Sequence, residues 1–290
     1  MITVDTGLIP LLGNPLRQSF AARLHNEAYR SLGLDLLYFP IEVGNEHLGD
    51  VVGALRHMNS PGFAVTKPNK IKVIEYLDEL DDLAGKMGAV NTVVKRDGRL
   101  IGYNTDGEGF VRSFLDETRI NLSDTTFFCF GAGGAARAIC CCLAYHGAKH
   151  IIVTNRTDAK AKSLAEDINS VFAPVAQWIP FSEKQRIEAE IMATDVIMNN
   201  SGVGMYPNTN ETPIDKNLLH EGQICFDATY NPLKTIFLQE AEQMGCQIVN
   251  GQGMSIYQGA IQVKLWTGKD EPIASIRETN NKIVAEMMSL

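Results

Sequence analysis

Positive charge is in short supply in this chain, with 26 Lys and Arg against 34 Asp and Glu and a formal net charge of −8. No basic run interleaved with aromatics occurs, which argues against a nucleic-acid partner, whose phosphates need a basic face. The first residues, Met-Ile-Thr-Val-Asp-Thr-Gly, lack a basic segment and a long apolar run. Neither a secretory leader nor a transmembrane helix is expected, and the location read from the sequence is cytoplasmic. Cysteines are few: the six, at 129, 140, 141, 142, 225 and 246, show no Cys-x-x-Cys spacing. They read as small buried apolar residues, with no metal site. Repeats and low-complexity linkers are missing too. What remains is 290 residues of 45% hydrophobic and 21% charged composition. That is room for two globular domains acting on a small molecule, as a monomer or homodimer.

The most informative stretch runs from Thr125 to Ala138. Thr-Thr-Phe-Phe-Cys-Phe reads as a buried strand, Gly131-Ala132-Gly133-Gly134 as a tight turn, and Ala135-Ala136-Arg137-Ala138 as a helix start. Strand, glycine turn and helix in this order suit a dinucleotide. The backbone passes close to a pyrophosphate at Gly131 and Gly133, Ala136 stands where the helix packs on the strand, and the helix N-terminus holds the phosphates. An ordinary glycine turn is the plainer alternative.

From the start, residues 7–13 read as a strand, 19–32 as a helix, 34–43 as a strand, 51–58 as a helix and 62–66 as a strand. A helix is predicted over 71–83, and Asp97-Gly98 sets a hairpin between 89–94 and 100–103. After Asn104-Thr105-Asp106-Gly107 the pattern becomes a βαβ alternation, with strands at 125, 151–154, 196–199, 223–227 and 247–249. Two helices, 255–267 and 272–288, close the chain. The expected fold class is α/β. An N-terminal α/β substrate domain (1–105, completed by the C-terminal helices over 255–290) precedes a doubly wound Rossmann-type dinucleotide domain (106–254).

Several strings fall in order: Val65-Thr66-Lys67-Pro68-Asn69-Lys70, Gly88-Ala89-Val90-Asn91-Thr92, Asn104-Thr105-Asp106-Gly107, Gly131 to Ala136, Asn155-Arg156-Thr157, Gly204-Met205-Tyr206-Pro207, Tyr230-Asn231-Pro232, and Gly253-Met254 through Gln258. In this combination the chain resembles the shikimate dehydrogenase family, the group that includes quinate/shikimate dehydrogenases, over nearly its whole length. The resemblance implies that Lys70 and Asp106 are the catalytic pair. Residue chemistry agrees: hydride transfer to a ketone leaves an alkoxide, which a positioned ammonium can stabilise and protonate. A carboxylate beside it keeps the lysine placed and charged. Taken singly, Lys70 also reads as a solvated residue at a helix start and Asp106 as an N-cap. The same resemblance assigns Ser19, Tyr38, Thr66, Asn91 and Gln258 to the substrate, with Asn91 and Gln258 on ring hydroxyls. It assigns Gly131, Gly133, Gly134, Ala135, Asn155, Arg156, Thr157, Asp158, Tyr230 and Gly253 to the cofactor.

No carboxylate ends the strand over 151–154, and Arg156 with Lys160 favours a 2′-phosphate. Asp158 pulls toward a ribose hydroxyl, or is simply a first-turn helix acid. The expected cofactor is therefore NADP, with NAD possible. The family's first substrate loop reads Gly-x-Pro-x-x-His-Ser-x-Ser-Pro, two serines holding the carboxylate. Here it is Gly13-Asn14-Pro15-Leu16-Arg17-Gln18-Ser19-Phe20-Ala21-Ala22, and the Asn that usually precedes Val-Thr is Ala64. Arg17, Gln18 or Lys67 is a candidate replacement anchor. The resulting expectation is an oxidoreductase that reduces 3-dehydroshikimate reversibly to shikimate. Quinate or another cyclic hydroxy acid is the alternative substrate. A non-catalytic nucleotide-binding relative and a folate-type dehydrogenase are the alternatives of other kinds.

Overall fold

The computed structural model describes residues 2–17, 19–229 and 231–288, and the chain divides into two compact units, 1–105 with 256–290 and 106–255. In the first unit β1 (Gly7–Gly13), β2 (Leu36–Glu42), β3 (Gly62–Val65), β4 (Glu79–Leu80), β5 (Thr92–Arg96) and β6 (Arg99–Tyr103) form a sheet in the order β2-β1-β3-β5-β6-β4. β1, β2 and β3 run parallel, joined through α1 (Ala21–Ser31) and α2 (Leu48–His57). Covered on both faces, β1 is apolar throughout rather than alternating. Ile9, Leu11, Ala64 and Val94 feed one core, and Leu12, Phe63, Val65 and Val93 the other. The hairpin turns where expected, with Asp97 and Gly98 both at positive φ (50° and 78°) as a type I′ turn requires.

The helix predicted over 71–83 does not form. Its place is taken by a 3₁₀ turn (Lys72–Tyr76), the edge strand β4 and the short helix α3 (Asp82–Met87). The apolar spacing is helical, but the aspartates interrupt it. Asp78 accepts from Leu100 N at 2.7 Å and from Arg56, and Asp81 caps α3 by accepting from Ala84 N at 2.9 Å. Short acidic side chains that find backbone donors outcompete a continuous helix.

The chain returns to this unit at its end. α9 (Gln252–Thr267) and α10 (Ile273–Met288) place Ile256, Ala260, Val263, Ile276 and Ile283 against Ile9, Leu11 and Ala64. The same core holds His25, which is 2% exposed and stacked on Tyr38 at 4.3 Å between ring centroids.

The second unit is a parallel sheet of β7 (Thr126–Phe130), β8 (His150–Thr154), β9 (Ala176–Trp178), β10 (Val196–Asn199), β11 (Ile224–Asp227) and β12 (Gln247–Asn250). Its order is β12-β11-β10-β7-β8-β9. Counted within the unit this is 3-2-1-4-5-6 read from the other edge, the doubly wound dinucleotide order. The helices α4 (Thr105–Thr118), α5 (Gly134–Tyr145), α6 (Asp158–Val171), α7 (Lys184–Ala193) and α8 (Ile236–Gln243) complete the alternation. The edge strand β9 was not anticipated: Ala-Gln-Trp is too short to show a period. All six cysteines are buried without disulfides. Among the described residues no helix is long and apolar enough to cross a membrane.

Burial lowers the His25 pKa to about 4 against the small opposing effect of its bond to Gln262. The folded state therefore refuses a proton that the unfolded chain takes up below pH ~6.5, so stability is full above that pH and declines as pH falls toward 4. Spanning that window costs about 3 kcal/mol. Denaturant titrations at pH 7 and pH 4.5 should show a steep loss in the wild type and a shallower one in His25→Gln; equal slopes would contradict the assignment.

Candidate active site

The substrate-side candidates of the first unit lie along one edge of its sheet. Leu12 pairs with Val65, and Val65 N donates to Asn91 O at 2.8 Å, so the ends of β1 and β3 and the start of β5 are neighbours. The loops that follow are packed together. A Cβ on Gly13 would stand 2.3 Å from Thr66 Cγ2, and Asn14 N donates to Lys67 O at 3.0 Å. Ser19 is exposed before α1, and Thr66 and Lys70 are half-buried after β3. Asn69, 0% exposed, ties this loop down by donating Nδ2 to Val43 O at 2.9 Å, and Lys70 O accepts from Val90 N at 2.8 Å. The Lys70 backbone is thus fixed from both sides.

Asn91 is 2% exposed. Its Oδ1 accepts from Thr105 N at 2.8 Å and Thr92 Oγ1 at 2.8 Å, and its Nδ2 donates to Thr105 Oγ1 at 3.0 Å. Gln258 is half-buried on α9. Tyr38 stands apart from these: it is 2% exposed, burial pushes its phenol pKa upward, and its backbone is held by Asn26 on both sides. Packing in the core accounts for it without a substrate. Ala64 is likewise a core residue, 2% exposed, so its methyl is part of the packing. Gln18 and Tyr230 lie outside the described residues.

In the second unit the candidates gather at the carboxyl ends of β7, β8 and β10, where the strand order reverses and open α/β sheets bind their ligands. The glycines of the turn have different reasons. Gly131 sits at φ +109°, donates to Thr154 O at 2.8 Å, and a Cβ there would be 2.7 Å from Asn200 O. Its constraint is the loop after β10, a reason that glycine spacing alone does not reveal. Gly133 and Gly134 are exposed, and a Cβ on either meets nothing of the protein within 4 Å. The fold itself does not require glycine there. Gly133 is the N-cap of α5 and offers no side chain to its first amides, whereas Ala136 is 0% exposed against the sheet. An uncapped helix N-terminus behind two bare glycines and Ala135 is a cradle that fits a dinucleotide pyrophosphate.

After β8, Asn155 Nδ2 donates to Thr157 O at 3.0 Å, and Arg156 and Thr157 are exposed. Asp158 opens α6 and its Oδ1 accepts from Phe181 N at 2.8 Å. That carboxylate has a structural partner at a helix N-terminus, whereas Arg156 is exposed. Gly253 lies in the first turn of α9 against α4, where a Cβ would be 2.8 Å from Glu117 Oε1.

Among the described residues, one group of acidic, Cys and His side chains has donor atoms within 4.8 Å of one another: Glu108, Cys142 and His146. These atoms bond each other. His146 Nε2 and Glu108 Oε2 are 2.8 Å apart, which holds the Glu108 carboxyl below its usual range. Burial, aided by Glu108, pushes the Cys142 thiol upward, so the sulfur stays protonated.

Three family models match the chain: a shikimate dehydrogenase substrate binding domain over residues 11–93, a shikimate / quinate 5-dehydrogenase over 115–205, and a shikimate 5'-dehydrogenase C-terminal domain over 251–279. The NADP(+) shikimate dehydrogenase of Alkaliphilus oremlandii is 41% identical over 280 residues, 96% of this chain and 98% of that protein. That of Methanopyrus kandleri is 39% identical over 96% of each. The crystal structure of the Listeria monocytogenes shikimate 5-dehydrogenase, in complex with shikimate and NAD, is 41% identical. It superposes with a TM-score of 0.91 over 96% of this chain and 97% of that one.

The two glycine roles separate by mutation. Gly131→Ala should lose about 2 kcal/mol or more of stability through its φ and the Asn200 contact, whereas Gly133→Ala should keep the wild-type Tm and bind NADP roughly tenfold or more weakly, the equivalent of about 1.4 kcal/mol. Thermal melts and a fluorescence titration check both, and wild-type behaviour of either variant would contradict the division.

Proposed function

The chain belongs to the shikimate dehydrogenase family, and on that premise we infer that it catalyses the reversible NADP-dependent reduction of 3-dehydroshikimate to shikimate. The observation that carries the reading is 41% identity with an NADP(+) shikimate dehydrogenase over 280 residues, 96% of this chain and 98% of that one. Bound NADP would supply the hydride; Gly133, Gly134 and Ala135 would hold its pyrophosphate and Arg156 its 2′-phosphate. NAD, lacking that phosphate, fits the same cradle with less charge pairing.

The rest is done by this chain's side chains. Asn91 and Gln258 orient ring hydroxyls, and Ser19 and Thr66 bind on the same side of the substrate domain. Ala21 opens α1 with no hydroxyl to offer a carboxylate, so Ser19 and a neighbouring cation carry that contact. Lys70 stabilises the alkoxide that forms on the former carbonyl oxygen and moves the proton onto it, and Asp106, in the first turn of α4, is the second member of the catalytic pair. Oxidation of the alcohol runs the same proton backward. A cytoplasmic location and a monomer or homodimer belong to the same inference.

Lys70→Ala and Asp106→Ala should each lower kcat by roughly 10²–10⁴-fold with the fold intact, and the double variant should lose less than the product, since the two act as a unit. Either single variant keeping more than half of the wild-type kcat overturns the roles.

A further inference from the structure

A hydrogen-bonded chain of side chains crosses the first unit and ends on Asn91, and the chemistry of its members fixes the direction of every bond. Thr92 gives its one hydroxyl proton to Asn91 Oδ1 at 2.8 Å. It can then only accept from the next member, and Gln262 Nε2 donates to it at 2.8 Å. This turns Gln262 Oε1 toward His25 Nε2, 3.0 Å away, so the imidazole carries its proton on Nε2. His25 is neutral in the core, and its Nδ1 has no hydrogen-bond partner among the described residues. Gln262 and His25 are each 2% exposed, and Thr92 is 0% exposed.

Gln262 interrupts an otherwise apolar face of α9, one turn beyond Gln258. A buried amide at such a position costs stability unless both its ends are used. Both are, and neither end is used for backbone structure. Thr92 Oγ1 has two acceptors near it, Asn91 Oδ1 at 2.8 Å and Thr105 Oγ1 at 3.3 Å. By donating into the Thr92 oxygen, Gln262 Nε2 holds the rotation of that hydroxyl with its proton on the nearer one.

We propose that Gln262 is a positioning residue for the reaction: held by His25, it commits the Thr92 proton to Asn91 and so locks the Asn91 amide with its oxygen inward and its nitrogen as the donor edge toward a substrate hydroxyl. The proposal rests on the reading that Asn91 contacts substrate. Gln262 touches neither substrate nor cofactor.

Kinetics of Gln262→Met, which keeps the volume and removes both bonds, should show a shikimate KM raised roughly three- to tenfold, the effect of one neutral hydrogen bond. The NADP KM and kcat should stay within about twofold by the same reasoning. Gln262→Glu supplies a readout that packing does not move. As a neutral acid it has one donor and one acceptor, like the amide; as a carboxylate it only accepts and draws the Thr92 proton away from Asn91. Its shikimate KM should therefore be near wild type at low pH and rise as the carboxyl ionises, a limb missing from wild type and Gln262→Met. A shikimate KM unchanged in Gln262→Met, or changes in all parameters that track a fall in Tm, overturns the proposal. Should Gln262→Met fail to fold, Thr92→Val is read by the same criteria. Asn91→Ala separates the two layers. If it leaves the shikimate KM unchanged, the substrate role of Asn91 falls and the proposal with it; if it raises KM while Gln262→Met does not, only the relay falls.

Discussion

A buried primary amide costs stability for each donor or acceptor left unmet, and Asn91 meets that demand by drawing on several elements of the substrate unit. Its main chain accepts from Val65 N and donates to Tyr103 O, which sets β3 and β6 on either side of it. Its side chain takes the first residue of α4, the neighbouring Thr92 and, through Thr92, the return helix α9. Elements from four separate parts of the chain thus meet on one residue. Leaving one such group unsatisfied costs about 1–3 kcal/mol, a sizeable part of the stability of any domain. The return of the C-terminal helices is accordingly a matter of polar satisfaction as well as of the apolar contacts that Ile256, Ala260 and Val263 make.

The dinucleotide unit obeys a different constraint, the approach of backbone to backbone. Gly131 is squeezed between the ends of β7 and β10, and this fixes where α5 begins. Gly133 and Gly134 then stand bare at the helix start, whose first amides suit an anion. The acidic and basic residues of the next loop differ in whether a protein partner occupies them. Asp158 is engaged by the Phe181 amide, and Arg156 is exposed on the same loop.

Much of this was legible in the residues. The Thr-Thr-Phe-Phe-Cys-Phe run, the glycine turn and the Asp97-Gly98 hairpin are local signals, and local signals survive folding. The helix predicted over 71–83 failed because its periodicity ignored what Asp78 and Asp81 bond to, which depends on β6 and on Arg56 far away in sequence. The burial of Tyr38 and its stack on His25 are not visible in its local sequence. Gln262 carries no local signal that sets it apart from Gln258 one turn earlier; its partners, Thr92 and His25, are 170 and 237 residues away. Contacts of that range leave no mark in a local pattern.

Substrate and cofactor choice is the claim on which the whole account turns. Steady-state kcat/KM for shikimate and quinate, each with NADP and with NAD, tests it directly. The account predicts the highest value for shikimate with NADP, with NAD a weaker substitute. Faster turnover of quinate, a preference for NAD, or no hydride transfer in any of the four pairings would contradict it.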